Sequence, residues 1–318
     1  MEADGGPGAN ASREAGWCLV AEDYKRFYLP VTYSLVLALG LPLNAAVLWL
    51  SWCRTRRWSC STIYLSNLMV ADLLYIATLP FLIVNYALGD RWPFGEASCR
   101  LVRFLFYANL YGSILLLTCI SVHRFLGVCH PVRSLAYRTR RLARRGAGAS
   151  WALVLLQALP TLAFSETGSR AGRTVCYDLS RPDNFGHFFV YGMLLTLSGF
   201  VLPFLIILVC YSLMIRSLLR PAEVRAGTGS SARAKSVRTI LAVCGLFALC
   251  FGPFHVTRSV YLVVRLRTTS CPLLTGVSVA YKMWRPLVSL NSCLNPVLFF
   301  LSGGSNRVRL LRELWPHR

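Results

Sequence analysis

Two pairs of basic residues stand at helical spacing on apolar sequence, His255 with Arg258 and Lys282 with Arg285. Residues three apart on a helix share a face, so each pair makes one local cationic patch. Charge inside a hydrophobic segment is costly and defaults to a functional reading. Guanidinium forks and ammonium groups suit phosphate oxygens, so the chemistry open to these patches is the capture of a polyanion. Arg103 adds another cation, and Tyr107 and Tyr111 follow it at i+4 and i+8. That stripe offers aromatic bodies and hydroxyl handles to the rest of a bound molecule. The plain alternative is that long basic side chains near the outer helix ends snorkel to the interface and that the tyrosines only pack. Four basic residues converging on one side argue against it.

Positioning them requires membrane-spanning helices. The chain of 318 residues is 55% hydrophobic and 15% charged, too apolar for an ordinary soluble domain. Runs of roughly 20 apolar residues recur along its length, each able to cross about 30 Å of hydrocarbon. The predicted fold is an all-α membrane protein, a seven-transmembrane helix bundle with a short amphipathic eighth helix. The spans fall roughly at 29–52, 60–87, 97–128, 142–163, 186–219, 233–263 and 275–301. This divides the chain into an N-terminal segment expected outside the membrane (1–28), a seven-transmembrane domain (29–301) and a helix and tail expected on the cytoplasmic side (302–318). Pro42, Pro80, Pro160, Pro203, Pro253 and Pro296 all fall inside spans, where neighbouring helices can satisfy the freed carbonyls. After Leu301, the alternation of Val308, Leu311, Leu314 and Trp315 with arginines predicts a helix on the membrane surface.

The net charge of +21 does not point to nucleic acid, because of where it sits. An extracellular N-terminus places 20 of the 34 Lys and Arg residues on the cytoplasmic side, as the positive-inside rule favours, and the C-terminus then lies in the cytoplasm. Arg138, Arg140, Arg141, Arg144 and Arg145 are expected to face anionic lipid headgroups. No cleavable leader is expected, so the first helix would act as signal anchor. Asn10 heads a glycosylation sequon usable on the outer side. Of twelve cysteines, only Cys18, Cys99, Cys176 and Cys271 fall on that oxidising side, and four thiols allow three pairings. No cysteine spacing suggests a zinc site.

Asn44, Asp72, Asn109, Ser113, Asn291 and Asn295 are polar residues inside apolar spans. A carboxylate at membrane depth needs a cation, a proton or several donors. Hydroxyl and amide oxygens around Asp72 can form a small sodium site, since hard cations prefer oxygen. A protonated Asp72 in a hydrogen-bonded helix seam is an equal reading. No other cofactor is expected.

In Asn44, Leu68 with Asp72, Cys99, His123 to Phe125, Trp151, Pro203 with Tyr211, Cys250 to Pro253, and Asn295 to Phe299, the chain resembles the class A (rhodopsin-like) G-protein-coupled receptors, with one set of marks per helix in order. Gly89 to Gly95, Cys99 to Asn109, Thr174 to Asp178, His255 with Arg258, and Tyr281 to Pro286 resemble the metabotropic purinergic receptors for extracellular nucleotides. The first three of these stretches look most like the uridine-nucleotide, UDP-type branch. The resemblance implies disulfides Cys99–Cys176 and Cys18–Cys271, and phosphate binding by Arg258, Lys282 and Arg285. His255 would donate to phosphate or sugar, and Asp178 would pair an arginine when the site is empty. It further implies a plasma-membrane receptor for UDP or UTP, coupled to a heterotrimeric G protein, Gq, and through phospholipase C to calcium release.

On the cytoplasmic side, Arg124 resembles the family's switch arginine, with Tyr211 and Phe299 as partners across the bundle. His123 replaces the usual acid before Arg124, Phe251 the usual Trp, and Phe299 the usual Tyr. The nearest rival is a receptor for another anion, a dicarboxylate or an acidic lipid mediator. A transporter should show repeated, broken helices, and an enzyme should show a nucleophile elbow, phosphate loop or zinc motif. The sequence shows none of these.

Overall fold

The computed structural model describes residues 24–54, 58–170, 172–177, 185–219, 230–267 and 270–302. Six helices in it are long and apolar enough to cross a membrane: α1 (Lys25–Cys53), α2 (Cys60–Ala87), α3 (Gly95–Cys129), α4 (Arg140–Phe164), α5 (Phe185–Ser217) and α6 (Val237–Arg267). The seventh, α7 (Cys271–Ser302), is long enough but carries Lys282, Arg285, Asn291 and Asn295, which dilute its apolar character. All seven agree with the expected spans to within a few residues. Asn10, Cys18, Asp178 and the expected eighth helix lie outside the described residues.

Helix α3 is the axis of the bundle. Of its membrane-crossing stretch 78% is buried, against 28% in α1, and it packs against α2, α4 and α5. The outward faces of the other helices carry Leu35, Leu39, Leu156, Leu194, Val209 and Leu241, all exposed. In water such a surface would aggregate, and in lipid it is the expected one.

The prolines are accommodated in different ways. Pro42, Pro286 and Pro296 sit inside continuous helix. In α2 and α4 the helix breaks beside Pro80 and Pro160. In α5 and α6 a five-residue π-helical segment, Leu197–Val201 and Phe247–Phe251 respectively, runs up to the proline region. The wider turn offers an alternative to the hydrogen bond that Pro203 or Pro253 cannot donate. The two segments meet, with Phe200 stacked on Phe247 at 6.2 Å.

One end of the bundle is closed by an antiparallel hairpin, β1 (Thr167–Arg170) and β2 (Arg173–Cys176), in register Thr167 with Cys176. Cys176 is bonded to Cys99 at the start of α3. Cys271 is also disulfide-bonded, and its expected partner Cys18 lies outside the described residues. The other eight cysteines are free thiols. The backbone N–H of Trp92 donates to the Thr174 carbonyl at 2.8 Å, and its indole N–H donates to the Gly95 carbonyl at 2.7 Å. The loop between α2 and α3 is thereby tied to β2.

Candidate functional site: a buried arginine cluster above a polar seam

Arg103 from α3, Arg258 from α6 and Arg285 from α7 are 2%, 0% and 3% exposed. Their depth removes the snorkelling alternative. Arg258 lies about two and a half turns before the end of α6, and Arg285 roughly four turns into α7. Arg103 donates to the Cys176 carbonyl at 3.2 Å, which joins the hairpin to α3. The Arg285 guanidinium lies over the Phe106 ring at 4.9 Å, and that of Arg258 over Tyr107 at 5.4 Å. These aromatic faces attract a cation without neutralising it.

Arg258 is the least satisfied of the three. Its Nη1 has only two long contacts, the Gly192 carbonyl and Thr196 Oγ1, both at 3.4 Å. Its Nε and Nη2 have no hydrogen-bond partner, and it forms no ion pair among the described residues. A buried guanidinium in that condition costs several kcal/mol unless an anion completes it.

His255 stands one turn before Arg258. It is 1% exposed, stacked on Phe200 at 4.3 Å, and neither ring nitrogen has a hydrogen-bond partner. Tyr107 and Tyr111 stack at 6.2 Å with near-parallel planes, and the Tyr111 ring lies 5.8 Å from that of His255. The Tyr111 hydroxyl also lacks a partner. Lys282 is half-buried on α7, one residue after Tyr281, which stacks on Tyr261 at 5.5 Å. The arrangement offers cations on three helices with adjacent aromatic faces, enough to hold an anion joined to a flat ring.

Several contributors were not singled out in the sequence. Gly192 and Thr196 on α5, Phe200 in its π segment and Tyr261 on α6 complete the walls, together with Phe106 and Tyr281 from the stretches that carry the resemblance. Aromatic residues abound in these spans, so their types alone gave no signal. Gly199 had a better one, a glycine in the middle of a membrane span. A Cβ there would lie 2.6 Å from Tyr111 Cε1. Gly199→Ala is expected to displace the Tyr111 ring and destabilise the protein by about 1–3 kcal/mol. Thermal denaturation of the purified protein checks this, and in a Tyr111→Ala background the same glycine substitution should cost little.

Below the arginines runs a polar seam. Asp72 is fully buried, and its Oδ1 accepts from Asn109 Nδ2 and Ser292 Oγ, each at 2.8 Å. Asn295 Nδ2 donates to Oδ2 at 2.9 Å. Asn44 donates to the Ser292 carbonyl at 2.7 Å, and Asn291 to Ser113 Oγ at 3.0 Å. Helices α1, α2, α3 and α7 are thus linked around one carboxylate. No basic residue pairs with Asp72 among the described residues, and the amide oxygens of Asn291 and Asn295 have no hydrogen-bond partner. This oxygen-rich set fits a small hard cation.

Toward the opposite end from the hairpin, Tyr211 shares a hydrogen bond of 2.6 Å with Ser121, one turn before Arg124. Arg124 and His123 are half-buried, and Phe299 is buried. The N-terminal half of α6 packs on α3 and α7.

Residues 43–299 match the family described as the 7 transmembrane receptor (rhodopsin family). The chain is 50% identical over 323 residues to the Y-class purinoceptor 2 of Homo sapiens, covering 99% of this chain and 85% of that protein. It is 47% identical over 307 residues to the Y-class purinoceptor 6 of Rattus norvegicus, covering 95% and 93%. With the Y-class purinoceptor 3 of Meleagris gallopavo the identity is 45% over 296 residues, covering 92% and 90%.

Proposed function

We infer the ligand from one premise: the chain belongs to the rhodopsin family of seven-transmembrane receptors and, within it, to the Y-class purinoceptors. It is a multi-pass plasma-membrane receptor that responds to nucleotides and acts through a G protein; it is not an enzyme. The proposed ligand is an extracellular uridine nucleotide, UDP or UTP. The observation that carries the reading is Arg258, a fully buried guanidinium with two unpartnered nitrogens beside an unpartnered His255. The phosphates would occupy the space among Arg103, Arg258, Lys282 and Arg285. The base and ribose would lie against Tyr107 and Tyr111. Asp178 would hold an arginine while the site is empty. The N-terminus would face outward, glycosylated at Asn10, with the tail helix on the cytoplasmic membrane surface.

Ligand contacts on α6 and α7 would bias a two-state movement of α6 near Pro253, opening a groove beside Arg124, Tyr211 and Phe299 for a G protein, Gq in this reading. A sodium ion at Asp72, among Asn109, Ser113, Asn291 and Asn295, would favour the state that builds its site.

Calcium release in cells expressing the chain, recorded against UDP, UTP, ADP, ATP, succinate and a leukotriene, tests the ligand class. Responses to uridine nucleotides at lower concentrations than to adenine nucleotides are expected. A response to succinate or the leukotriene, with silence to every nucleotide and surface expression verified, would transfer the arginine cluster to another anion.

A further inference from the structure

A second cationic cavity lies outside the helical core. Arg26 at the start of α1, Arg91 in the loop between α2 and α3, and Arg173 at the first position of β2 line it, together with Gly89, Gly172 and Thr174. Its volume is ≈ 470 Å³, within the range of small-ligand sites. All three arginines are exposed, and none of their side chains forms an ion pair or hydrogen bond among the described residues.

The local carboxylate is already engaged. Asp90 sits beside Arg91 with φ 66°. It pairs with Lys25 at 3.5 Å and accepts from Asn85 Nδ2 at 3.1 Å. Among the described residues, the three guanidinium charges are therefore left without a counter-ion.

Two glycines shape the turns that carry the cavity's rim. Gly89 and Gly172 both have positive φ, 71° and 72°. A Cβ at Gly89 would come within 3.6 Å of Arg173 Nη1. The Trp92 to Thr174 hydrogen bond fixes the loop carrying Arg91 to the strand carrying Arg173. Arginines held on three separate segments around one cavity are arranged for a multivalent oxyanion, since each fork can take a different pair of oxygens.

We propose that Arg26, Arg91 and Arg173 form an outer binding site for a polyphosphate group, either a free chain or the phosphate tail of a nucleotide. The same strand connects it to the inner cluster. Arg173 opens β2, and Cys176, about 10 Å further along at strand rise, supplies the carbonyl that Arg103 holds. The proposal does not depend on a nucleotide occupying the inner cluster.

The test is equilibrium binding of labelled inorganic triphosphate to the full-length receptor in phosphatidylcholine nanodiscs. With the inner cluster disabled by R258Q and R285Q, one saturable site is expected to remain. Adding R26Q, R91Q and R173Q should weaken it at least about tenfold. In the otherwise unaltered receptor the same three exposed substitutions should remove one binding equivalent, a readout that holds even if the inner variant folds poorly. An unchanged number of equivalents in that receptor overturns the proposal. Repeating the titration with UTP assigns the site to whichever form binds tighter, bare chain or nucleotide tail.

Discussion

Arg258→Ala is expected to move the nucleotide concentration–response curve for calcium release to the right by about ten- to a hundredfold at unchanged surface expression. Charge-assisted hydrogen bonds are worth about 1.5–3 kcal/mol each, and a tenfold shift needs about 1.4. Arg258 is placed to supply one or two of them, because its Nε and Nη2 have no hydrogen-bond partner among the described residues. Arg258→Lys keeps the charge but loses the fork, so an intermediate shift is expected. The effect on the empty receptor should have the opposite sign. Removing an uncompensated buried cation relieves a desolvation cost, so the thermal midpoint of Arg258→Met without ligand should equal or exceed that of the parent. Unchanged potency in both Arg258→Ala and Arg285→Ala would remove these residues from the proposed phosphate site. A large fall in the empty receptor's midpoint would mean instead that Arg258 is structurally satisfied.

Asp72→Ala should damage the fold itself. Three buried donors, from Asn109, Ser292 and Asn295, lose their acceptor together. An unsatisfied buried donor costs about 1–3 kcal/mol. A combined loss of roughly 3–5 kcal/mol is expected, seen as a severalfold fall in surface expression and a lower thermal midpoint. Asp72→Asn has the same shape and retains one oxygen acceptor, so it should fold better while lacking the charge. If the seam holds sodium, replacing choline chloride with sodium chloride raises the parent's midpoint and leaves that of Asp72→Asn unmoved. An equal rise in both would place the ion's effect elsewhere.

The helices and the polar seam were legible in the sequence for the same reason. In a chain whose solvent is lipid, apolar runs mark the helices and each interruption is a conspicuous cost. Asp72, Asn109, Asn291 and Asn295 stood out for that reason; the structure joins Asn109 and Asn295 to Asp72, and Asn291 to Ser113. Arg103, Arg258 and Arg285 were equally visible, but their depth was not. A basic residue a few turns from a helix end can reach the interface or turn inward, and sequence position does not decide between these. The walls were hidden for the converse reason. Phe200 and Tyr261 are aromatic in a background of similar residues, and lipid removes the contrast between inward and outward faces that reveals a core in a soluble protein.

Several further features required the folded chain. Pro203 and Pro253 announced interruptions, yet nothing in the sequence specified π segments before them or the stacking of Phe200 on His255. The pairing of Lys25 with Asp90 depends on a positive-φ turn and on the meeting of α1 with the loop after α2. The hairpin at 167–176 was likewise unannounced, since its two strands are only four residues each and carry no clear alternation.

Helix α3 carries Arg103 near one end and Arg124 near the other, about 32 Å apart at the rise of an α-helix. It is a single unbroken rod of 35 residues, gripped along most of its length. Such a shaft has few ways to deform; it can turn about its axis or slide along it. A torque applied through Tyr107 and Tyr111 would then reach Arg124 undiminished, with the hydrogen bond from Asn109 to Asp72 acting as a detent between angular positions. Substitutions midway along the shaft, remote from both ends, would alter how readily it turns while leaving each end chemically intact.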